Sequence, residues 1–190
     1  MQISTADRAA FAMALVAAGL TLLPAPAPIE AVHAVPHLGQ AEVWRPLRAM
    51  GLWHEWTDTF RVDVPVVGNS EQERAGVPVE GSLLSIRTFW RPHGLGALLP
   101  STASPERLTV ADEASFRMCW RVEMLPAVLL DTDRCFVLTK LATGTEVVNR
   151  IQFLGLLGPV VHAIMGGAVH ANFEAFNSHL AAAAQGAKRN

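Results

Sequence analysis

Between residues 59 and 67 apolar and polar positions alternate, with Phe60, Val62, Val64 and Val66 on one side and Arg61 and Asp63 on the other. A period of two is the mark of a half-buried strand. Comparable runs occupy 81–89, 107–112, 115–123, 134–141 and 145–153, the last following a turn at Thr143-Gly144. Residues 29–35 read as a further strand, closed by Pro36. Helical spacing appears in 39–50, where Val43, Trp44 and Leu47 recur. After Gly51 a second short helix is expected over 52–57, and a long final helix opens at 155–159 and reaches about residue 184. Residues 91–105, with three Pro and two Gly, read as a long loop. Consecutive strands without helical crossovers predict an antiparallel meander, hence an α+β fold. A curved antiparallel sheet wrapped around the long C-terminal helix, with two short helices after the first strand, satisfies that order.

The first 28 residues stand apart. An apolar stretch over 11–23 precedes Pro24, Pro26 and Pro28. It reads as a short helix, with Ser4 or Thr5 as cap, Asp7 at its positive end, and Gly19 and the prolines ending it. The prolines then act as a stiff tether. A signal peptide is the alternative, although Asp7 beside Arg8 replaces the basic run such a leader carries. The predicted organisation is therefore 1–28 as helix and tether, 29–184 as a ligand-binding domain, and 185–190 as a flexible tail. Residues 1–28 are expected to be dispensable for folding. A cytoplasmic location follows if they stay attached, export if they are a leader.

Composition narrows the function. Hydrophobic residues make up 51% of the chain and charged ones 17%, enough apolar material for a large core or a lined cavity. The formal charge is −2, and Lys140 and Lys188 are the only lysines, which argues against a nucleic-acid partner. The apolar N-terminal stretch is too short to span a bilayer, so no integral membrane insertion is expected. Cys119 and Cys135 are too few for a zinc site or a disulfide framework. They are read as inert buried thiols, with a bridge between adjacent strands the alternative. No His pair spaced four apart with Glu, no phosphate-cradling Gly loop and no nucleophile elbow occurs, so neither metal nor cofactor is predicted.

Three passages carry a resemblance to a known family. These are Ala41-Glu42-Val43-Trp44 with Leu52-Trp53-His54-Glu55-Trp56; Met118-Cys119-Trp120-Arg121 with the Leu129-Leu130-Asp131 and Arg134-Cys135-Phe136 that follow; and the run Gly144-Thr145-Glu146-Val147 through Phe153-Leu154-Gly155. In order and spacing they resemble the START-like, or SRPBCC, helix-grip superfamily of polyketide cyclases and lipid-transport proteins, over about 29–184. That resemblance implies a helix-grip fold and a small hydrophobic ligand, with a homodimer left open. It does not fix function, because such folds serve cyclases, carriers, receptors and co-chaperones. Many relatives carry His where Arg134 stands, and His and Glu where Asn149 and Ile151 stand, so no catalytic set is carried over.

Candidate residues come instead from parity. In the last strand Val147, Asn149, Ile151 and Phe153 share the more apolar face, which should point inward. By the same rule Arg134 goes inward with Phe136 and Leu138, and Trp120 with Met118. On the final helix Val161, Met165, Val169 and Asn172 form one stripe with Ala168 beside it, and Gly166 and Gly167 leave room. His162 and His179 flank that stripe. Asn149 and Arg134 are the candidates for orienting a carbonyl, and His162 for carrying a proton. Each has a plainer alternative: a buried amide bonded to backbone, an ion pair at the sheet margin, a satisfied structural His. His54 and His93, the latter in the long loop, complete the polar candidates.

The expected function is a cofactor-independent cyclase or related cavity enzyme acting on a polyketide- or terpenoid-like intermediate. A non-catalytic lipid or small-molecule carrier or sensor, and a co-chaperone-like interaction module, are the rivals. The volume and polarity of the space between helix and sheet separate them.

Overall fold

The structure is a computed structural model that describes residues 25–63, 77–91 and 101–187. The N-terminal helix, the second half of the 59–67 strand, His93 with its loop, and residues 188–190 lie outside the described residues.

Seven strands form one antiparallel sheet: β1 (Ile29–Pro36), β2 (Phe60–Asp63), β3 (Leu83–Phe89), β4 (Ser101–Asp112), β5 (Arg117–Val122), β6 (Asp131–Leu141) and β7 (Gly144–Leu154). Their spatial order is β1-β7-β6-β5-β4-β3-β2. Strands β2 to β7 thus run as a meander, and β1 pairs onto β7. Between β1 and β2 stand α1 (Gln40–Arg48) and a 3-10 turn (Met50–Glu55). Gly39 opens α1, its N–H donating to Glu42 Oε2 at 2.7 Å. The chain ends in α2 (Gly158–Ala187), which lies in the concavity against β1, β7 and α1. This is the expected α+β architecture.

Trp53 organises the core between helix and sheet. Its ring lies 4.8 Å from Phe176 of α2, 6.2 Å from Trp120 of β5 and 6.3 Å from Phe136 of β6. Its indole N–H donates to Leu47 O at 2.8 Å, so the buried ring leaves no polar group unpaired. The second half of α2 is packed down, with Phe173, Phe176, Asn177 and Leu180 all buried. Over residues 158–167, by contrast, only Gly158 is fully buried. The helix leaves the sheet at Gly155, whose φ is +79° and where a Cβ would meet Ala127 O at 2.8 Å.

Several boundaries differ from expectation. Strand β4 starts at Ser101 rather than 107, because residues 101–107 pair with β3 in regular register. Pro105 sits opposite Ser85 in that register, and on the β5 side its carbonyl accepts the Glu123 N–H at 2.8 Å. The second short helix is a 3-10 turn beginning two residues early, and α2 continues to Ala187, so residues 185–187 of the expected tail are helical.

The cysteine expectation is corrected: Cys119 and Cys135 form a disulfide. They stand directly opposite in the β5–β6 register, Cα atoms 4.1 Å apart, with the Arg117 Nε donating to Cys119 Sγ at 3.2 Å. Parity sends both away from the inward face that carries Met118, Trp120 and Phe136. The bridge closes a loop with a sequence separation of 16. In the chain-entropy account a loop of that size contributes about 3 kcal/mol. Replacing both cysteines with Ala should lower stability by about that amount, read from denaturant melts in which a reductant shifts the wild type and leaves the variant unmoved.

Candidate functional site

Under the first half of α2 the sheet and helix stand apart and leave a half-open cavity of about 220 Å³. Strands β2 to β7 form its floor and walls, and Val161, Met165, Val169, Asn172 and Phe173 of α2 form its roof. The lining is almost wholly apolar, with Thr and Ser hydroxyls on β3, β4 and β6. Among the described residues two charged ones reach it, Arg134 and Glu106.

Arg134 lies on β6 opposite Trp120 and Ile151, on the inward face that Phe136 continues. It is 5% exposed. Its guanidinium carbon sits 4.3 Å from the Phe60 ring centre, 4.7 Å from Phe173 and 4.8 Å from Trp120. The faces of those rings hold the cation where water would otherwise have solvated it. Its Nε and Nη2 have no hydrogen-bond partner. Burial pushes its pKa down to about 10, against the opposing pull of Glu106, so it remains a cation at neutral pH.

Glu106 projects inward from β4 and is 4% exposed. Ser104 Oγ donates to its Oε1 at 2.6 Å, and Oε2 is unpaired. Burial raises its pKa above the ordinary carboxylate value; Arg134's charge, Ser104 and the nearby Trp120 indole act in the opposite direction. That indole N–H makes no hydrogen bond of good geometry. Arg134 and Glu106 feel each other's charge without closing into a hydrogen-bonded ion pair. Two buried, incompletely satisfied polar groups therefore meet one apolar space. A buried polar atom left without a partner costs about 1–3 kcal/mol, so a ligand that supplies the partner gains that much.

Of the residues expected at the site, Arg134, Ile151, Phe153, Val161, Met165, Val169 and Asn172 line the cavity. Asn172 is fully engaged, accepting from Arg91 N at 2.9 Å and donating to Phe89 O at 3.0 Å, and so fastens α2 to the end of β3. Met118, Trp120, Phe136, Leu138, Val147 and Ala168 are buried core outside the lining, although Trp120 and Phe136 back the Arg134 guanidinium. Asn149 is buried with neither amide atom paired, but it does not line the cavity. Its register partner Ala31 accepts instead from Asn177 Nδ2 at 3.0 Å. His162 is half-buried beside Gly166, also outside the cavity. His179 bonds Thr57 Oγ1 at 3.0 Å and lies 3.7 Å from Asp58, which holds Arg91 at 2.6 Å. The one convergence of metal-type ligands among the described residues, Cys119, Asp133 and Cys135, is taken up by the disulfide.

Sequence reasoning missed Glu106 because it began β4 at residue 107. Extending that strand by parity from Leu108 places Glu106 and Ser104 on the inward face, so the signal was present once the boundary moved.

No family model matches the chain, and no curated protein does. Solved structures do. The protein TTHA0849 from Thermus thermophilus is 13% identical, covering 85% of this chain and 99% of its own, with a TM-score of 0.60. The di-domain aromatase/cyclase BexL from the BE-7585A biosynthetic pathway is 13% identical over 95% of this chain and 57% of its own, TM-score 0.60. The Zhui aromatase/cyclase from a Streptomyces species is 12% identical over 84% and 94%, TM-score 0.54. The chain therefore has the helix-grip fold, and at these identities the likeness extends to the fold alone. Among the described residues no helix is long and apolar enough to cross a membrane.

Proposed function

We propose that this chain binds a small, largely apolar molecule in its cavity and acts on it as a cofactor-independent cyclase or isomerase-type enzyme of secondary metabolism. The observation that carries the reading is the pairing of a half-open apolar pocket with one buried guanidinium and one buried carboxyl. A simple carrier has no need of two costly buried polar groups at one wall, and an interaction module would have a filled interior. Structural similarity to aromatase/cyclases supports the same class.

At about 220 Å³ the cavity falls below the roughly 300–1,000 Å³ of ordinary ligand pockets, which points to a compact polyketide- or terpenoid-like unit of one or two rings. Confinement would fold that unit into a reactive shape. Arg134 would draw negative charge onto a carbonyl oxygen. Glu106, whose neutral form burial favours, would give its proton to a departing hydroxyl as the C–O bond breaks, and the carboxylate left behind would take the adjacent acidic C–H proton, so that water leaves and the acid is restored.

Native mass spectrometry of the protein from its own source tests ligand occupancy directly. Met165→Trp adds bulk to the cavity roof, so it is expected to abolish the bound mass while the melting temperature holds. A tightly packed site would respond with about 1–3 kcal/mol of overpacking strain. A sharp fall in melting temperature with the bound mass retained refutes the assignment.

A further inference from the structure

Every residue of the β5–β6 loop from Met124 to Leu130 is apolar. Met124 is nevertheless 59% exposed, Leu125 44%, Val128 69% and Leu129 38%. The backbone of the loop is satisfied in that position. Leu129 and Leu130 N–H donate to Pro126 O at 2.8 and 3.1 Å, and the β7–α2 junction adds Leu156 N–H to Val128 O at 3.0 Å and Leu157 N–H to Leu129 O at 2.8 Å. The fold therefore holds these side chains outward. An apolar protrusion of this kind marks a surface that meets a partner.

The pocket reaches the surface at the same place. Met124 lines it while standing mostly in solvent, and Val122, Leu130 and Val161 line it alongside. Charge narrows the partner further. No Asp, Glu, Lys or Arg occurs at 124–130 or at 151–173. The charges flanking the loop are closed into pairs, Arg107 with Glu123 at 2.6 Å and Arg121 with Asp131 at 2.8 Å. Such a surface offers no cation to an anionic phosphate and meets a neutral headgroup without repulsion. Nor does the loop contain Trp, Tyr or Arg, the side chains that carry most protein–protein binding energy.

We propose that the β5–β6 loop seats the protein on the surface of a neutral lipid bilayer, with Leu125, Val128 and Leu129 in the headgroup–acyl boundary. The pocket mouth then faces the acyl chains, and an apolar ligand passes between bilayer and pocket without exposing its surface to water. This deepens the reading of the cavity as a ligand pocket and rests on it. A second copy seated on the same loop would stopper the mouth instead. The contact is peripheral, since no described helix is long and apolar enough to cross a membrane.

Flotation of the full chain with phosphatidylcholine vesicles tests this, with the melting temperature and the bound ligand mass followed alongside. The wild type should float equally well at about 0.1 and about 0.5 M salt, because no charge pair holds it. Leu125→Asp and Val128→Asp, at exposed positions outside the pocket lining, should each lower partitioning at least about tenfold while fold and bound mass stay. Val128→Trp should raise it several-fold, because an indole favours the headgroup level. Val32→Asp, on β1 at 58% exposure, removes a comparably exposed valine and should change nothing. A wild type that stays in the lipid-free fraction overturns the inference, as does flotation that both Asp variants keep or that Val32→Asp loses. So does flotation that needs phosphatidylserine and fades with salt, or a doubled mass in lipid-free solution that Val128→Asp abolishes. A bound ligand mass without flotation removes the docking surface and keeps the ligand pocket; flotation without any bound mass keeps the surface and removes the pocket reading.

Discussion

Replacing Arg134 with Met is expected to lower turnover, or affinity for the native ligand, by roughly 10²–10³-fold, the usual loss when an oxyanion-stabilising donor is removed. Stability should barely move, because two large effects oppose. Taking an unpaired cation out of the interior relieves a desolvation cost of several kcal/mol. The same change forfeits its contacts with the faces of Phe60, Phe173 and Trp120, each worth up to about 2 kcal/mol when dry. Glu106 loses a neighbouring positive charge, and so favours its neutral form more strongly. Met fills the stem's volume. Arg134→Lys should not rescue function: an ammonium is a compact, strongly hydrated charge that cannot lie flat among three rings, and burial favours its deprotonation. Calorimetric melting set against turnover or binding decides the matter. A large fall in melting temperature with unchanged activity per folded molecule would assign Arg134 to structure alone.

The legibility of this site in the sequence depended on which physical rule was in force. Parity along β6 and β7 placed Arg134, Ile151 and Phe153 on the cavity face because side-chain alternation has a fixed period and the inner face is apolar enough to reveal it. The helix stripe gave Val161, Met165 and Val169 for the same reason. Parity does not report depth along a strand, so Asn149 shares the face of Ile151 without reaching the same space, and His162, flanking the stripe, falls outside it. Register between strands is a property of two segments at once. The opposition of Cys119 to Cys135 therefore emerged only with the paired sheet. Pro105 hid Glu106: a proline usually ends a strand, but here it accepts in the ladder, and the carboxyl beside it was lost with the first half of β4.

Glu106→Gln should separate proton transfer from everything else the cavity does. The amide has the shape of a neutral carboxyl and can still accept from Ser104, so the fold and the ligand's position should survive. It cannot release a proton. Turnover should fall by roughly 10²–10⁴-fold, the range for loss of a general acid or base, with affinity changed only a few-fold. The pH dependence supplies a second, independent reading. In the unfolded chain this carboxyl ionises near its ordinary value of 4.5; in the folded chain burial raises that value. Between the two the folded state binds more protons than the unfolded one, so raising the pH through that window favours unfolding. Wild-type stability should therefore decline from just above pH 4.5 until the folded carboxyl ionises, and level off beyond it. That component of the decline should vanish in Glu106→Gln, leaving the variant the more stable of the two on the alkaline side. The wild-type rate should fall over the alkaline limb in which the folded carboxyl loses its proton, because the general acid is then spent. A Gln variant that keeps the wild-type pH–rate profile would remove Glu106 from the chemistry. Loss of the alkaline stability difference as well would show that the carboxyl is already ionised in the folded chain, beside Arg134, at neutral pH.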